Sequence, residues 1–170
     1  MASNAQLVPA SLRQAWVGGD WVSTKLVEKA RRMAPQMRFC SIGGPTETTV
    51  WNIWYPISGN HESLKKIPYG KPAPNNRYYV LNDAGEECPV WVTGELYCAG
   101  NGVALGYWQK PAETANRFVP HPRTGERLYR CGDQGRWLPD GNIEFMGRSD
   151  QQIKLHGVRI EAGEIETTLV

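Results

Sequence analysis

The sequence predicts an α/β part that is followed by a β-rich part. Near the N-terminus, short apolar runs on either side of an amphipathic stretch predict a strand, a helix and a second strand. From Arg77 onward, short β-prone runs alternate with turns rich in glycine and asparagine, which is typical of a small barrel or sandwich. Residues 52–76 between these parts are rich in proline and glycine, and they predict a long connector with little regular structure.

The α/β part begins with an apolar strand that ends in the double glycine Gly18-Gly19. Ser23 or Thr24 can cap the following helix, whose apolar residues repeat with the helical period, and Pro35 ends it. Residues 38–42 form the second strand. This order predicts a parallel βαβ unit, in which ligands bind beyond the carboxyl ends of the strands.

The loop beyond the second strand carries candidate binding groups. Its sequence is Gly43-Gly44-Pro45-Thr46-Glu47-Thr48-Thr49. Glycines allow a ligand to approach the backbone closely, threonine hydroxyls can donate to phosphate oxygens, and Glu47 is a hard oxygen ligand suited to Mg²⁺. An ordinary loop with a helix cap is the alternative, because threonine and glutamate after a turn also cap helices.

The β-rich part contains a predicted short helix over residues 111–118, with Trp108 and Phe118 expected in the core. Pro139-Asp140-Gly141 predicts a tight turn, and His156-Gly157 predicts a second hairpin. Charged residues are expected at strand ends or turn mouths of these hairpins, where a rigid scaffold presents binding groups. They are Asp133, Arg148, Asp150 and Lys154.

Composition excludes several classes of protein. With 170 residues, of which 41% are hydrophobic, the chain can bury a core. A net charge of +2 with interspersed signs forms no basic stripe for nucleic acid, and no apolar run approaches the roughly 20 residues that span a bilayer. We therefore expect neither nucleic acid nor a membrane as a partner. The cysteines show no C-x-x-C spacing, which predicts free thiols in a reducing, cytoplasmic compartment.

Four motifs occur in a fixed order along the chain. They are Gly43-Gly44-Pro45-Thr46-Glu47-Thr48-Thr49, the glycine-rich run 94–107, Tyr129-Arg130-Cys131-Gly132-Asp133, and residues 147–164. Together they resemble the adenylation domains of non-ribosomal peptide synthetases, within the acyl-adenylate-forming superfamily. The resemblance implies a fragment of the large adenylate-forming fold. Residues 1–69 would be the C-terminal part of an α/β core subdomain, 70–148 a small distorted β-barrel or sandwich, and 149–170 the hinge and first hairpin of a truncated C-terminal lid.

The resemblance also implies an activity. Such domains use Mg²⁺ and ATP to activate an amino acid as aminoacyl-AMP, and they load it on the phosphopantetheine thiol of a carrier protein, as in antibiotic or siderophore biosynthesis. The partners would be the remainder of the adenylation domain, the carrier domain and the amino acid. The family's upstream phosphate loop, its pocket aspartate and its late catalytic lysine are not among these residues, so we expect the chain alone to be inactive.

The resemblance assigns roles to single residues. Thr46 would contact the α-phosphate and Glu47 would hold Mg²⁺, as the catalytic pair. The ATP or AMP site would comprise Gly43, Gly44, Pro45, Thr46, Asp133 on the ribose hydroxyls, Phe145 near the nucleoside, and Arg148 on the ribose or phosphate side. Asp150 would be the hinge, and Lys154 would be a surface residue of the lid rather than a ligand group. The chain departs from the family at Gly43, where an aromatic residue against adenine is usual, and at Cys131, where threonine is usual.

By position in the family, the amino-acid pocket would be lined by Trp16, Gly18, Ile42, Val50 and Trp51. This apolar set, and the pair Val50-Trp51, resemble domains that take cysteine or another small residue. The alternative is that Trp16 and Trp51 are core residues. Two other functions stay open, a fragment of an acyl- or aryl-CoA ligase and a non-catalytic interaction module. The strings around Thr46 and after Asp150 favour the peptide-synthetase branch.

Overall fold

The computed structural model describes residues 8–9, 11–19, 22–58, 66–149, 152–155, 158–161, 165 and 168–169. The elements of the α/β part are β1 (Gln14–Val17), α1 (Thr24–Met33), β2 (Arg38–Gly43), a 3-10 turn (Thr46–Thr48), β3 (Ile53–Ile57) and β4 (Lys71–Pro72). The β-rich part comprises β5 (Asn76–Leu81), β6 (Gly94–Gly100), α2 (Pro111–Arg117), β7 (Phe118–Pro120), β8 (Arg127–Trp137) and β9 (Ile143–Arg148). The strands β10 (Gln152–Leu155) and β11 (Val158–Glu161) follow. No helix of these described ranges is long and apolar enough to cross a membrane.

The predicted βαβ unit is present. β1 and β2 pair in parallel, with Trp16 opposite Cys40, and α1 connects them. The side chain of Ser23 caps the helix by accepting a hydrogen bond from the Leu26 N–H at 3.2 Å. Val27 on the inner face of α1 is buried in a cluster with Phe39 and Ile57. Burial of this face packs the helix against β2 and β3.

The prediction of an irregular connector over residues 52–76 is wrong in part. β3 pairs antiparallel with β2 along its length, from Gly43 opposite Ile53 to Phe39 opposite Ile57. Its aromatic and β-branched residues favour a strand once a partner strand is available. In the described chain only Ile53 and Trp54 of β3 pair with β4, so Pro56 lies at a free edge on that side of the strand. Proline has no backbone N–H to donate, and a strand tolerates this at an edge.

The β-rich part is an antiparallel sheet in the order β5-β6-β8-β7, with β9 also paired to β8, and it curves into a half-barrel. Its inner face buries Leu96, Cys98, Tyr129 and Ile143. The structure thus confirms the predicted α/β plus β fold class. Ile53 of β3 packs into this same core, so the two sheets share hydrophobic contacts. The domain boundaries at residues 70 and 149 stay predictions.

The prediction that Phe118 is a core residue is confirmed, and the same prediction for Trp108 is wrong. Phe118 is buried, whereas Trp108 is 87% exposed. Both residues flank α2, and the turn before this helix is closed by a hydrogen bond from the Lys110 N–H to the Tyr107 carbonyl at 3.2 Å. Tyr107 takes the inward position and contacts Phe118, with ring centroids 5.5 Å apart. The adjacent Trp108 therefore faces solvent in the described structure.

The second predicted hairpin is present as β10 and β11, which pair antiparallel from Gln152 opposite Glu161 to Leu155 opposite Val158. The predicted hinge residue Asp150 and the predicted turn residues His156-Gly157 lie outside the described residues.

Candidate functional site

The loop beyond β2 takes a conformation that requires glycine. Gly44 has φ of +134°, and a Cβ at this position would lie 2.4 Å from Asn52 Oδ1 and 2.6 Å from the Val50 carbonyl oxygen. Pro45 then leads into the 3-10 turn, which the Thr48 N–H closes by donating to the Pro45 carbonyl at 3.0 Å. As a result Thr46 is exposed, whereas Glu47 and Thr48 are buried.

The Glu47 carboxylate is held by a residue of the loop between β6 and α2. The Tyr107 hydroxyl donates to Glu47 Oε1 at 2.7 Å, and the Ala104 N–H donates to the Glu47 carbonyl at 2.8 Å. The hydroxyl oxygens of Tyr107 and Tyr129 are 3.4 Å apart. Burial, then the contact with Tyr107 and the charge of Glu47, raise the pKa of Tyr129, so its phenol stays protonated. The phenol of Tyr129 therefore adds no second negative charge near the Glu47 carboxylate.

Asn52 joins the loop to the β-rich sheet. Its Nδ2 donates to Thr48 Oγ1 at 2.7 Å, and its Oδ1 accepts from the Tyr78 hydroxyl at 2.7 Å. All three residues are buried, so these bonds satisfy groups that water does not reach. Thr49 adds a bond from its hydroxyl to the Gly102 carbonyl at 2.9 Å. These hydrogen bonds attach the loop to Tyr78 of β5 and to Gly102 after β6.

Asp133 and Arg148 form an ion pair across the β8–β9 hairpin. The two residues are opposite each other in register, and Arg148 Nη1 lies 2.7 Å from Asp133 Oδ1. Arg148 Nη2 also donates to the Cys131 carbonyl at 3.3 Å. Asp133 lies inside β8 rather than at a strand end, because pairing with β9 continues the strand past it. Arg148 is the last residue of β9, as expected.

Glu47 and Asp133 are both connected to β8: Asp133 belongs to this strand, and Glu47 accepts from the Tyr107 hydroxyl, which lies 3.4 Å from that of Tyr129 on the same strand. Burial is the main cause that raises the pKa of the Cys131 thiol, followed by contact with Cys98 and by the charges of Asp133 and Glu47. The negative charges of both carboxylates thus disfavour ionisation of this thiol. The structure brings together two acidic residues that are far apart in the sequence.

The predicted pocket residues lie at the carboxyl ends of β1 and β2. Trp16 and Trp51 pack edge to face, with ring centroids 5.6 Å apart and an angle of 82° between the rings. A Cβ on Gly18 would lie 2.2 Å from the Ile42 carbonyl oxygen, so these two residues are also in contact. Trp16 and Trp51 are each 57% exposed. Neither tryptophan is a core residue of the described structure.

Sequence reasoning missed Tyr107, Asn52 and Tyr69. Tyr107 reaches Glu47 over a separation of 60 residues, and Tyr78 reaches Asn52 over 26. Tyr69 packs its ring 6.0 Å from that of Phe145, the predicted nucleoside contact. Tyr107 does lie in the glycine-rich motif 94–107, which was the one available indication of a role.

The site is compatible with a metal ion that is coordinated mainly by nucleotide phosphates and water. The described residues contain no group of three or more histidine, cysteine, aspartate or glutamate side chains that could hold a metal ion. Mg²⁺ in nucleotide sites is usually bound by one or two carboxylates together with phosphates and water. A single oriented carboxylate, Glu47, is compatible with that mode.

Comparison with known proteins identifies the class. Residues 2–108 match the family described as AMP-binding enzyme, and the chain belongs to this family. Phenyloxazoline synthase MbtB from Mycobacterium sp. (strain MCS) is 45% identical over 159 residues, which are 94% of this chain and 14% of that protein. The chain therefore spans a small part of this relative.

Solved structures narrow the class further. The non-ribosomal peptide synthetase FmoA3, in a form with α-methyl-L-serine-AMP bound, is 47% identical, with a TM-score of 0.78 over 84% of this chain and 16% of FmoA3. Holo-PA1221, described as containing adenylation and PCP domains and bound to a vinylsulfonamide inhibitor, is 32% identical, with a TM-score of 0.86 over 93% and 28%. The chain is part of an adenylation domain of the non-ribosomal peptide synthetase type.

Proposed function

We propose that these residues form part of the ATP site and the amino-acid pocket of an enzyme that makes aminoacyl-AMP. The observation that carries the proposal is that Glu47, next to the exposed Thr46, is hydrogen-bonded to Tyr107, whose hydroxyl lies 3.4 Å from that of Tyr129 on β8, the strand that also carries Asp133. The α-methyl-L-serine-AMP bound to FmoA3 supports it. In the reaction, a carboxylate oxygen of the amino acid bonds to the α-phosphorus of ATP. The bond from that phosphorus to the β-phosphate oxygen breaks, and pyrophosphate leaves.

Each residue of this chain has a distinct task in the proposal. Thr46 donates its hydroxyl to an α-phosphate oxygen. Asp133 accepts from the ribose hydroxyls, which orients the nucleoside, and Arg148 holds that carboxylate in place. Glu47 would hold Mg²⁺, which when bound neutralises the charge that develops as pyrophosphate leaves. Tyr107 keeps the Glu47 carboxylate oriented.

The second step would transfer the amino acid to a carrier protein. A phosphopantetheine thiol loses its proton and attacks the acyl carbonyl carbon, a thioester forms, and AMP leaves. PA1221, which contains adenylation and PCP domains, supports a carrier as the partner. The hinge role of Asp150, the contact of Phe145 with the nucleoside and the need for the remainder of the domain belong to this proposal.

The substrate we propose is cysteine or another small amino acid. Gly18 contributes no side chain, and the packed rings of Trp16 and Trp51 occupy space that a large substrate side chain would need. Ile42 and Val50 complete an apolar lining that is suited to a small, weakly polar group. The small amino-acid part of the adenylate bound to FmoA3 is compatible with this size limit.

The test is ATP–pyrophosphate exchange by the complete domain with a panel of amino acids. We expect exchange with small amino acids, and about 100-fold lower exchange in Asp133→Asn, because hydrogen bonds to a charged acceptor contribute about 1.5–3 kcal/mol each. Asp83→Asn in the exposed turn after β5 is the matched control and should be unchanged. Equal exchange in both variants would refute the proposal. Thioester formation on coenzyme A instead of a carrier would favour the CoA-ligase alternative, and failure to bind a stable aminoacyl-adenylate analogue would favour the interaction module.

A further inference from the structure

Gly43 leaves a gap that another residue fills. A Cβ at this position would lie 2.1 Å from Cε2 and 3.0 Å from the hydroxyl oxygen of Tyr69. Real Cβ atoms do not approach ring atoms so closely, so no larger side chain fits at Gly43 while the Tyr69 ring is in place. The ring of Tyr69 therefore packs directly against Gly43 at the end of β2, although the two residues lie far apart in the sequence.

The backbone holds Tyr69 firmly in this position. The Tyr69 N–H donates to the Ile143 carbonyl at 2.8 Å, and the Ile143 N–H donates to the Gly70 carbonyl at 2.7 Å. Gly70 has φ of +117°, and a Cβ there would lie 2.1 Å from the Trp54 carbonyl oxygen. These contacts connect Tyr69 to the first residue of β9, the strand that also carries Phe145 and Arg148.

The ring of Tyr69 lies between the elements that carry the proposed nucleotide-binding residues. Its centroid is 6.0 Å from that of Phe145 and 6.1 Å from that of Tyr78, and the Tyr78 ring is nearly perpendicular to it. Burial and then the charge of Asp133 raise the pKa of Tyr69 well above its ordinary value, so the ring stays neutral. The residue is still partly exposed. A neutral aromatic ring beside Gly43 and Phe145 can pack on a planar base whose ribose Asp133 holds.

We propose that Tyr69 supplies the aromatic surface for the nucleobase of ATP, and that Gly43 is glycine because the ring of Tyr69 needs its space. This inference rests on the proposed function, since it assumes that Asp133 binds the ribose. It adds a binding residue from the segment before β4. It also predicts that positions 43 and 69 are coupled, because the two side chains compete for one volume.

The first experiment separates the base from the rest of the nucleotide. AMP and ribose 5-phosphate are titrated calorimetrically into the complete domain and into Tyr69→Leu, Tyr69→Phe and Tyr55→Leu. Stacking of a base on an aromatic side chain predicts that Tyr69→Leu binds AMP about 5- to 150-fold more weakly. Tyr69→Phe and the control Tyr55→Leu, a partly buried tyrosine of β3, should bind AMP as wild type does. Ribose 5-phosphate should bind equally to all four proteins.

The outcomes separate the two proposals. If wild type binds neither AMP nor ribose 5-phosphate, the proposed function fails and this inference fails with it. If wild type binds AMP and Tyr69→Leu binds it equally well, only the role of Tyr69 is overturned. Equal weakening for AMP and ribose 5-phosphate would also overturn that role, because it would show general damage to the site.

A second experiment uses the coupling and does not depend on Tyr69→Leu being stable. Gly43→Phe alone should lower the thermal midpoint and weaken AMP binding, because two rings cannot share the space. In combination with Tyr69→Ala, the new ring should be accommodated, and AMP affinity should return to within about threefold of wild type. Additive losses in the double variant would overturn the inference.

Discussion

Removal of the Tyr107 hydroxyl tests whether this residue positions the proposed magnesium ligand. In Tyr107→Phe the ring and its packing on Phe118 remain, but the 2.7 Å hydrogen bond to Glu47 Oε1 is lost. Glu47 is only 8% exposed, so water replaces the lost donor poorly. Hydrogen bonds to charged groups contribute about 1.5–3 kcal/mol, and we expect a loss of about 2 kcal/mol in the free energy of unfolding.

Tyr107→Phe should also weaken the binding of magnesium. Groups that orient a metal ligand typically affect metal affinity by about 10- to 100-fold when they are removed. We therefore expect the Mg²⁺ concentration for half-maximal pyrophosphate exchange to rise about tenfold in Tyr107→Phe. The KM for the amino acid should change little, because the hydroxyl that is removed donates to Glu47, whereas the pocket tryptophans Trp16 and Trp51 pack on each other.

A matched control separates stability from magnesium use. Tyr79 donates to Glu126 Oε2 at 2.8 Å, which is a similar tyrosine–glutamate bond on another part of the sheet. Tyr79→Phe should lower the urea midpoint of the complete domain without changing its Mg²⁺ requirement. The reasoning would be refuted if Tyr107→Phe and Tyr79→Phe had the same Mg²⁺ dependence, whatever their stabilities.

Two further predictions concern other polar contacts of the fold. Asn52→Leu should destabilise the domain by about 2–3 kcal/mol, because it removes the acceptor of the buried Tyr78 hydroxyl and the donor to Thr48 Oγ1, although Thr48 keeps its own bond to the Pro45 carbonyl; urea unfolding measures this, and a cost below about 0.5 kcal/mol would contradict it. The hydrogen bond from Arg77 is the main cause that lowers the pKa of Glu126, so the ionised form is favoured in the folded state. That stabilisation is complete above the ordinary pKa near 4.5 and is lost as the pH falls through the lower folded-state value. Glu126→Gln should therefore lower the thermal midpoint at neutral pH, with a difference from wild type that shrinks as the pH falls below 4.5; a difference that grows on acidification would contradict the assignment.

Local sequence patterns predicted the elements whose causes are local. Ser23 and Pro35 mark the ends of α1, and glycine in the Pro139-Asp140-Gly141 turn has the positive φ that its position requires, +78°. The order of short motifs predicted the family, because each motif keeps its residue types in a short stretch of chain. The strand β3 was missed because its proline and the glycines around it suggest a loop, and only the neighbouring β2 makes the strand favourable.

The sequence by itself determined the fold class, the family and the candidate residues Thr46, Glu47 and Asp133. Only the tertiary structure decided how those residues are held: Glu47 by Tyr107, and Asp133 by Arg148 in the register of a hairpin. It also decided that Tyr69 occupies the space beside Gly43. The physical reason is the same in each case. Side-chain contacts between distant segments depend on strand register and on the volume left by neighbouring residues, and neither quantity is written in a local pattern of residue types.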